Sequence, residues 1–180
     1  MQVAVVWFRN SLRIHDNPVL SWAYESENVD LILPVYIFDE KIHQRSTQTM
    51  AEHRLRFQFE CVENLHQNLK NKFDLDLHIF SGDCLEVFES IREQLQPSEV
   101  ILLHEYSTNP RDRKQSETIE KKLISTNQNW SAKSFPSSQT ILDIEAIVSS
   151  SGYKPPKSCL LYTSDAADEG LGVDLGGRRI

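Results

Sequence analysis

Apolar positions along the chain fall into two alternating kinds of pattern. Residues 2–8, QVAVVWF, form a continuous apolar run, which a strand buried on both faces requires. The stretch NPVLSWAYES (17–26) then opens with a helix-start signal: Asn17 can cap the helix, and Pro18 suits its first position, where a missing N–H costs nothing. DLILPVYIF (30–38) predicts a second buried strand, in which Pro34 requires a bulge or a place near the end of the ladder. From Ala51 to Lys70 apolar residues recur at Leu55, Phe59, Val62, Leu65 and Leu69, the stripe of an amphipathic helix. LDLHIFS (75–81) alternates as a strand, CLEVFESIREQL (84–95) reads as a helix, and EVILLHE (99–105) as another strand. Arg111 to Ser125 predicts a highly charged helix with Ile119, Leu123 and Ile124 as its buried side, and WSAKSF (130–135) a fifth strand.

Strands alternating with helices across short links predict an α/β fold, a Rossmann-like five-stranded parallel sheet with helices on both faces. In such a sheet the ligand crevice lies past the carboxyl ends of the strands, where Arg9, Asp39, Gly82 and Glu105 fall. Gly82 is the sole glycine before Gly152, so neither a dinucleotide fingerprint nor a phosphate-binding loop can be built. With 180 residues, 39% of them hydrophobic, the chain suffices for one globular domain with a real core. A net charge of −7 argues against a surface that binds nucleic acid by itself. Cys61, Cys84 and Cys159 lie far apart without metal-ligand spacing and fit a reducing compartment. His15, His43, His53, His66, His78 and His104 share no metal spacing either, so no metal site is expected. The start MQVAVVWFR lacks a basic leader and no apolar run reaches membrane-spanning length; the expectation is a nuclear or cytoplasmic protein without a signal peptide or membrane segment.

The connection after the first strand puts two arginines and an aspartate beside a helix start, and here the chain resembles a known family. VWFRNSLRIHDNPVL is similar to the amino-terminal signature of photolyases and cryptochromes, with Trp7, Phe8, Arg9, Leu12, Arg13, Asp16, Asn17, Pro18 and Leu20 matching in register. Ser11 stands where many members carry Asp, and a small residue there resembles the six-four photolyase and animal-type cryptochrome branch. VYIFDE, HRLRFQFECVENLHQNLKN, HEYSTNPRDRKQSETIEKKL and TILDIEAIVSSSGYKPPKS resemble later segments of the same domain, so that the likeness covers residues 3–158.

The resemblance implies an α/β antenna domain followed by a larger helical domain that binds FAD and, in repair enzymes, the damaged base flipped from DNA. All catalytic residues would lie in that second domain, so none is assigned in this chain. In members with a deazaflavin antenna the matching region lines the pigment crevice. Phe38, Asp39, Arg54, Phe57 and Glu105 are therefore the expected contacts for a deazaflavin or folate antenna, Arg54 and Arg56 lying where a helix dipole favours an anion. Arg9, Arg13 and Asp16 are expected to fix the first loop, the carboxylate pairing an arginine, and to brace it against the helical domain. The longer protein would repair pyrimidine photoproducts in damaged DNA with light and reduced FAD. Alternatively it would be a cryptochrome photoreceptor read by a signalling protein, or a stand-alone Rossmann-like binding module. RDRKQSETIEKK reads as a solvated helix face.

The sequence also divides by character. Residues 1–148 are expected to form the α/β domain and 149–158 to start an interdomain linker. CLLYTSDAADE (159–169) and VDLGGRRI (173–180) resemble translated sequencing adapter: one reading frame of the transposon-end sequence of tagmentation libraries spells the first, and a flow-cell adapter spells the second. Residues 159–180 are thus expected to be non-native, the FAD-binding helical domain to be missing, and the fragment alone to be inactive in repair.

Overall fold

The computed structural model of the chain describes residues 1–39, 52–107, 110–126 and 129–136 and the single positions 150 and 152. In chain order the elements are β1 (Gln2–Phe8), α1 (Pro18–Glu25), β2 (Leu31–Asp39), α2 (Glu52–Phe73), β3 (His78–Gly82), α3 (Cys84–Leu95), β4 (Glu99–Tyr106), α4 (Pro110–Thr126) and β5 (Trp130–Pro136). The strands form one sheet in the order β3-β2-β1-β4-β5, every pairing parallel. The Rossmann-like five-stranded α/β fold expected from the sequence is the fold observed.

The continuous apolar run of β1 explains its central place. Its alternation sends Val3, Val5 and Trp7 to one face and Ala4, Val6 and Phe8 to the other, all at most 4% exposed. On the first face α3 and α4 contribute Cys84, Phe88, Ile91, Ile119 and Leu123; on the second, α1 and α2 contribute Val19, Leu20, Ala23, Val62, Leu65 and Leu69. The fully buried Phe88 meets Trp7 edge-on at 5.2 Å between ring centroids and Trp130 at 6.2 Å. Burying a side chain of that kind contributes about 1.5–3 kcal/mol.

Local signals held where the chemistry is local. The Asn17 side chain accepts the Val19 and Leu20 N–H groups, each at 3.1 Å, and Pro18 takes the first helical position. Pro34 sits opposite Val6 in the β1–β2 ladder, whereas the β2–β3 ladder starts one residue later at Val35. On the β3 side the proline thus falls just before the ladder begins, near one of the two places expected for it.

Three expectations need correcting. The strand predicted from Leu75 begins only at His78, because β2 offers no partner before Val35; the Leu77 N–H is instead taken by His66 Nδ1 at 3.2 Å. Phe59, placed on the buried stripe of α2, is 51% exposed: the stripe packs on the sheet at Val62, Leu65 and Leu69, and Phe59 stacks at its margin on Phe38, 4.8 Å between centroids. Ile124 is 46% exposed because it follows Leu123 by one residue, about 100° around α4, and so turns away from the core.

Two units divide the chain, Met1–Ile141 and Leu142–Ile180. The first holds all the elements named above. Of the second, Ser150 and Gly152 are the described positions. His43, Cys159, the rest of the expected linker 149–158 and the whole of 159–180 lie outside the described residues. Among the described residues no helix is long and apolar enough to cross a membrane.

Candidate functional site

From β1 the sheet grows through β2 to β3 on one side, and on the other through β4 to β5, so the winding reverses between β1 and β4. Two loops that leave a sheet in opposite directions open a crevice between them. A cleft of about 750 Å³ lies at this end of the sheet, lined by residues of the loop after β1 (Arg9 to Arg13), the end of β2 (Asp39), the first turns of α2 (Arg54, Phe57, Gln58, Cys61), Cys84 at the start of α3, and Asp112 and Gln115 of α4. That volume is within the ~300–1,000 Å³ of small-molecule sites.

A chain of hydrogen bonds forms the floor. Arg9 donates through Nη1 to the Asp112 carbonyl at 3.0 Å and through Nη2 to Gln115 Oε1 at 2.8 Å, and its guanidinium lies 4.6 Å from the centroid of the Trp7 ring. The Gln115 amide passes the connection on, its Nε2 donating to Asp39 Oδ2. The Cys84 thiol donates to the same carboxylate oxygen at 3.6 Å. This places Gln115 one way round, oxygen to the arginine and nitrogen to the carboxylate, the orientation that satisfies both neighbours. Burial pulls the Arg9 guanidinium below its ordinary value while the Asp112, Glu105 and Asp39 charges oppose it, and an arginine so placed remains a cation. Burial, reinforced by Asp39, pushes Cys84 up to about 12. At neutral pH it is a thiol and not a nucleophile. Burial also raises the Tyr36 phenol, which accepts a hydrogen bond from Gln58 Nε2 at 2.6 Å.

The first turns of α2 line the same cleft. Arg54 and Phe57, three residues apart and therefore on one face of the helix, both line the cleft. Among the described residues Arg54 makes no ion pair or hydrogen bond, and the Phe57 ring, 66% exposed, makes no aromatic contact. An unpaired cation beside an unstacked ring is suited to a planar aromatic molecule carrying negative charge.

The other expected contacts are placed differently. Phe38 turns from the cleft to pack edge-on against Tyr36 at 4.9 Å and on Phe59. Glu105 is 6% exposed and clamps the first loop, its Oε1 accepting the Asn10 and Ser11 N–H groups at 3.1 and 3.0 Å. Of the loop's charges, Asp16 pairs with Arg13, at 3.1 Å and in solvent, and Arg9 turns inward. Such an exposed pair contributes ~0–1 kcal/mol. Asp16 adopts a left-handed φ of 48°, a conformation that Asp tolerates better than most residues.

Sequence reasoning missed Asp112 and Gln115, having assigned their segment to a solvated face. The signal was available: 112, 115, 116, 119 and 123 recur at helical spacing on the side that carries the apolar Ile119 and Leu123, and Ser116 is buried with them. His104 was missed too. It is 1% exposed, its Nδ1 meeting the Glu105 carbonyl at 2.9 Å and its Nε2 the Glu120 carboxylate.

A parallel sheet with one reversal of winding and a lined cleft at that reversal defines a doubly wound α/β domain. Residues 4–171 match the profile of the family described as DNA photolyase. The chain belongs to that family, which includes the cryptochromes. It is 37% identical over 111 residues to cryptochrome DASH of Xenopus laevis, covering 59% of this chain and 21% of that protein. Similarity extends over 88% of the chain to cryptochrome-1 of Drosophila melanogaster, at 26% identity, and over 86% to the (6-4)DNA photolyase of Arabidopsis thaliana, at 27%. Each of these two alignments covers 28% of the relative, so the chain spans about a quarter of the length of the curated relatives it matches. A bacterial class III photolyase from Agrobacterium tumefaciens has the same fold, with a TM-score of 0.60 at 20% identity over 74% of this chain and 25% of that one.

Proposed function

We propose that the chain is the antenna domain of a longer blue-light flavoprotein and that its cleft binds a planar, anionic pigment of the deazaflavin or folate class. The observation that carries this reading is the pair Arg54 and Phe57, without partners among the described residues, lining a cleft of about 750 Å³. Arg54 would meet the negative charge and Phe57 the ring face, with Arg9 and Asn10 across the cleft. Asp39 would be held in place by Gln115 rather than free to approach the pigment. When bound, such a pigment absorbs light and passes its excitation to a flavin. FAD enters this proposal through the longer protein, in which the family binds its flavin, and no residue of this chain is assigned to it or to catalysis. The longer protein would repair UV photoproducts in DNA, its α/β domain braced by Arg9, Arg13 and Asp16 against the flavin domain, in the nucleus or cytoplasm.

A second reading of the longer protein is favoured by the names of its relatives, several of which are cryptochromes. In that case the same domain serves a photoreceptor whose output is a signalling partner.

Titration of the chain with an 8-hydroxy-5-deazaflavin and with methenyltetrahydrofolate, followed by absorbance and fluorescence, tests the cleft. Saturable binding is expected, weakened about three- to tenfold in Arg54→Ala and in Phe57→Ala, since one stacking or cation contact contributes ~0.5–1.5 kcal/mol. Binding of neither pigment, or binding indifferent to both substitutions, refutes the assignment.

A further inference from the structure

The Glu105 carboxylate is used on one side only. Its Oε1 takes two backbone donors from the loop after β1, whereas Oε2 is buried without a hydrogen-bond partner. A cavity of about 10 Å³ lies beside it, lined by Glu105, Arg9, Ser11 and Asn17 and otherwise by apolar residues of β1 and the start of α1. We propose that this cavity is a binding site for one internal water molecule, held by Glu105 and joining β4 to the first loop and to the start of α1.

Size and the unpartnered carboxylate oxygen both lead there. A void of that volume admits about one water, and internal waters bond to buried polar groups that otherwise lack a partner, as Oε2 does here. The donors at the start of α1 are committed or missing. Asn17 donates its Nδ2 to the Arg13 carbonyl at 2.9 Å, the Val19 and Leu20 N–H groups are spent on Asn17 Oδ1, and Pro18 has no N–H. None of these reaches Oε2, which leaves a water as its donor, and Arg9 and Ser11 line the same space. The amino-terminal end of α1 also faces the cavity, and its dipole favours an ionised oxygen there. Glu105 then closes the loop from two sides, directly through Oε1 and through water from Oε2.

Magnetic relaxation dispersion of the full chain counts long-lived internal waters, and a high-resolution crystal structure locates them. Val19→Ile narrows the cavity from its apolar wall and leaves every polar group in place; Val19→Ala widens it. The expected result is one long-lived water in the wild-type chain and in V19A that is lost in V19I, with density at hydrogen-bond distance from Glu105 Oε2. A wild-type crystal structure with a dry cavity or with a protein donor on Oε2, or a dispersion amplitude unchanged in V19I, overturns the proposal.

Discussion

Replacing Asn17 by alanine removes three hydrogen bonds at one buried position. Its Oδ1 accepts the Val19 and Leu20 N–H groups and its Nδ2 reaches back to the Arg13 carbonyl, and the residue is 5% exposed. Loss of an N-cap costs about 1 kcal/mol. Loss of the Arg13 bond leaves a carbonyl without its buried donor and costs about another 1 kcal/mol. The sum, ~2 kcal/mol, lowers the melting temperature of a domain of this size by roughly 4–8 °C. Asn17→Ser separates the two contributions: the serine hydroxyl still caps the helix but cannot reach the carbonyl, so it forfeits ~1 kcal/mol. Urea unfolding of the two variants measures both values, and hydrogen exchange at Val19 and Leu20 reports the cap alone, faster in N17A than in N17S. If serine is as costly as alanine, or if neither differs from wild type by more than ~0.5 kcal/mol, the accounting is wrong.

Two further outcomes follow from burial. Because Cys84 is pushed up to about 12 and lies beneath the cleft, iodoacetamide at pH 8 is expected to alkylate the half-exposed Cys61 first, with Cys84 reacting on unfolding; equal rates by peptide mass mapping refute this. The same shift has a sign for stability: the contribution of the buried thiol is complete below its unfolded value of 9.0 and is lost as pH rises toward 12, visible as a falling unfolding midpoint in that window. Phe88→Ala is expected to cost ~3–5 kcal/mol by urea unfolding, since its ring is wholly buried between Trp7 and Trp130. Ile124→Lys, on the outer face of α4, should change stability by no more than ~0.5 kcal/mol.

What could be read from the sequence was set by how far apart the interacting groups lie. The double-faced burial of Val3 to Phe8 and the cap at Asn17 depend on neighbours in the chain, and both were visible there. The misplaced start of β3 depended on where β2 acquires a partner, which no pattern within 75–81 reveals. Phe59 and Ile124 failed because helical periodicity gives the side of a helix but not how far along it, or how widely around it, the sheet extends. At the site, Arg9 and Asp39, at the ends of β1 and β2, line the cleft, whereas Gly82 and Glu105, expected there on the same rule, do not. The partners of Arg9 were not expected, since Gln115 is 106 residues away and no local rule couples the two. Phe38 was assigned to the cleft on a resemblance of segments, which carries a residue's position along a strand more reliably than the face it takes.

The central position of β1 has a consequence for synthesis. β1 is synthesised before its partner strands, and Gln2 pairs with Glu99, so its second edge waits for almost a hundred residues. At 5–20 residues per second that is roughly 5–20 s during which the most apolar segment of the domain has an open flank. Val3 to Phe8 carries high β-propensity and no charge, the composition of a segment that pairs with copies of itself. Yield of folded chain should therefore depend on elongation rate and on chaperones that shield nascent strands more than on the equilibrium stability of the finished sheet.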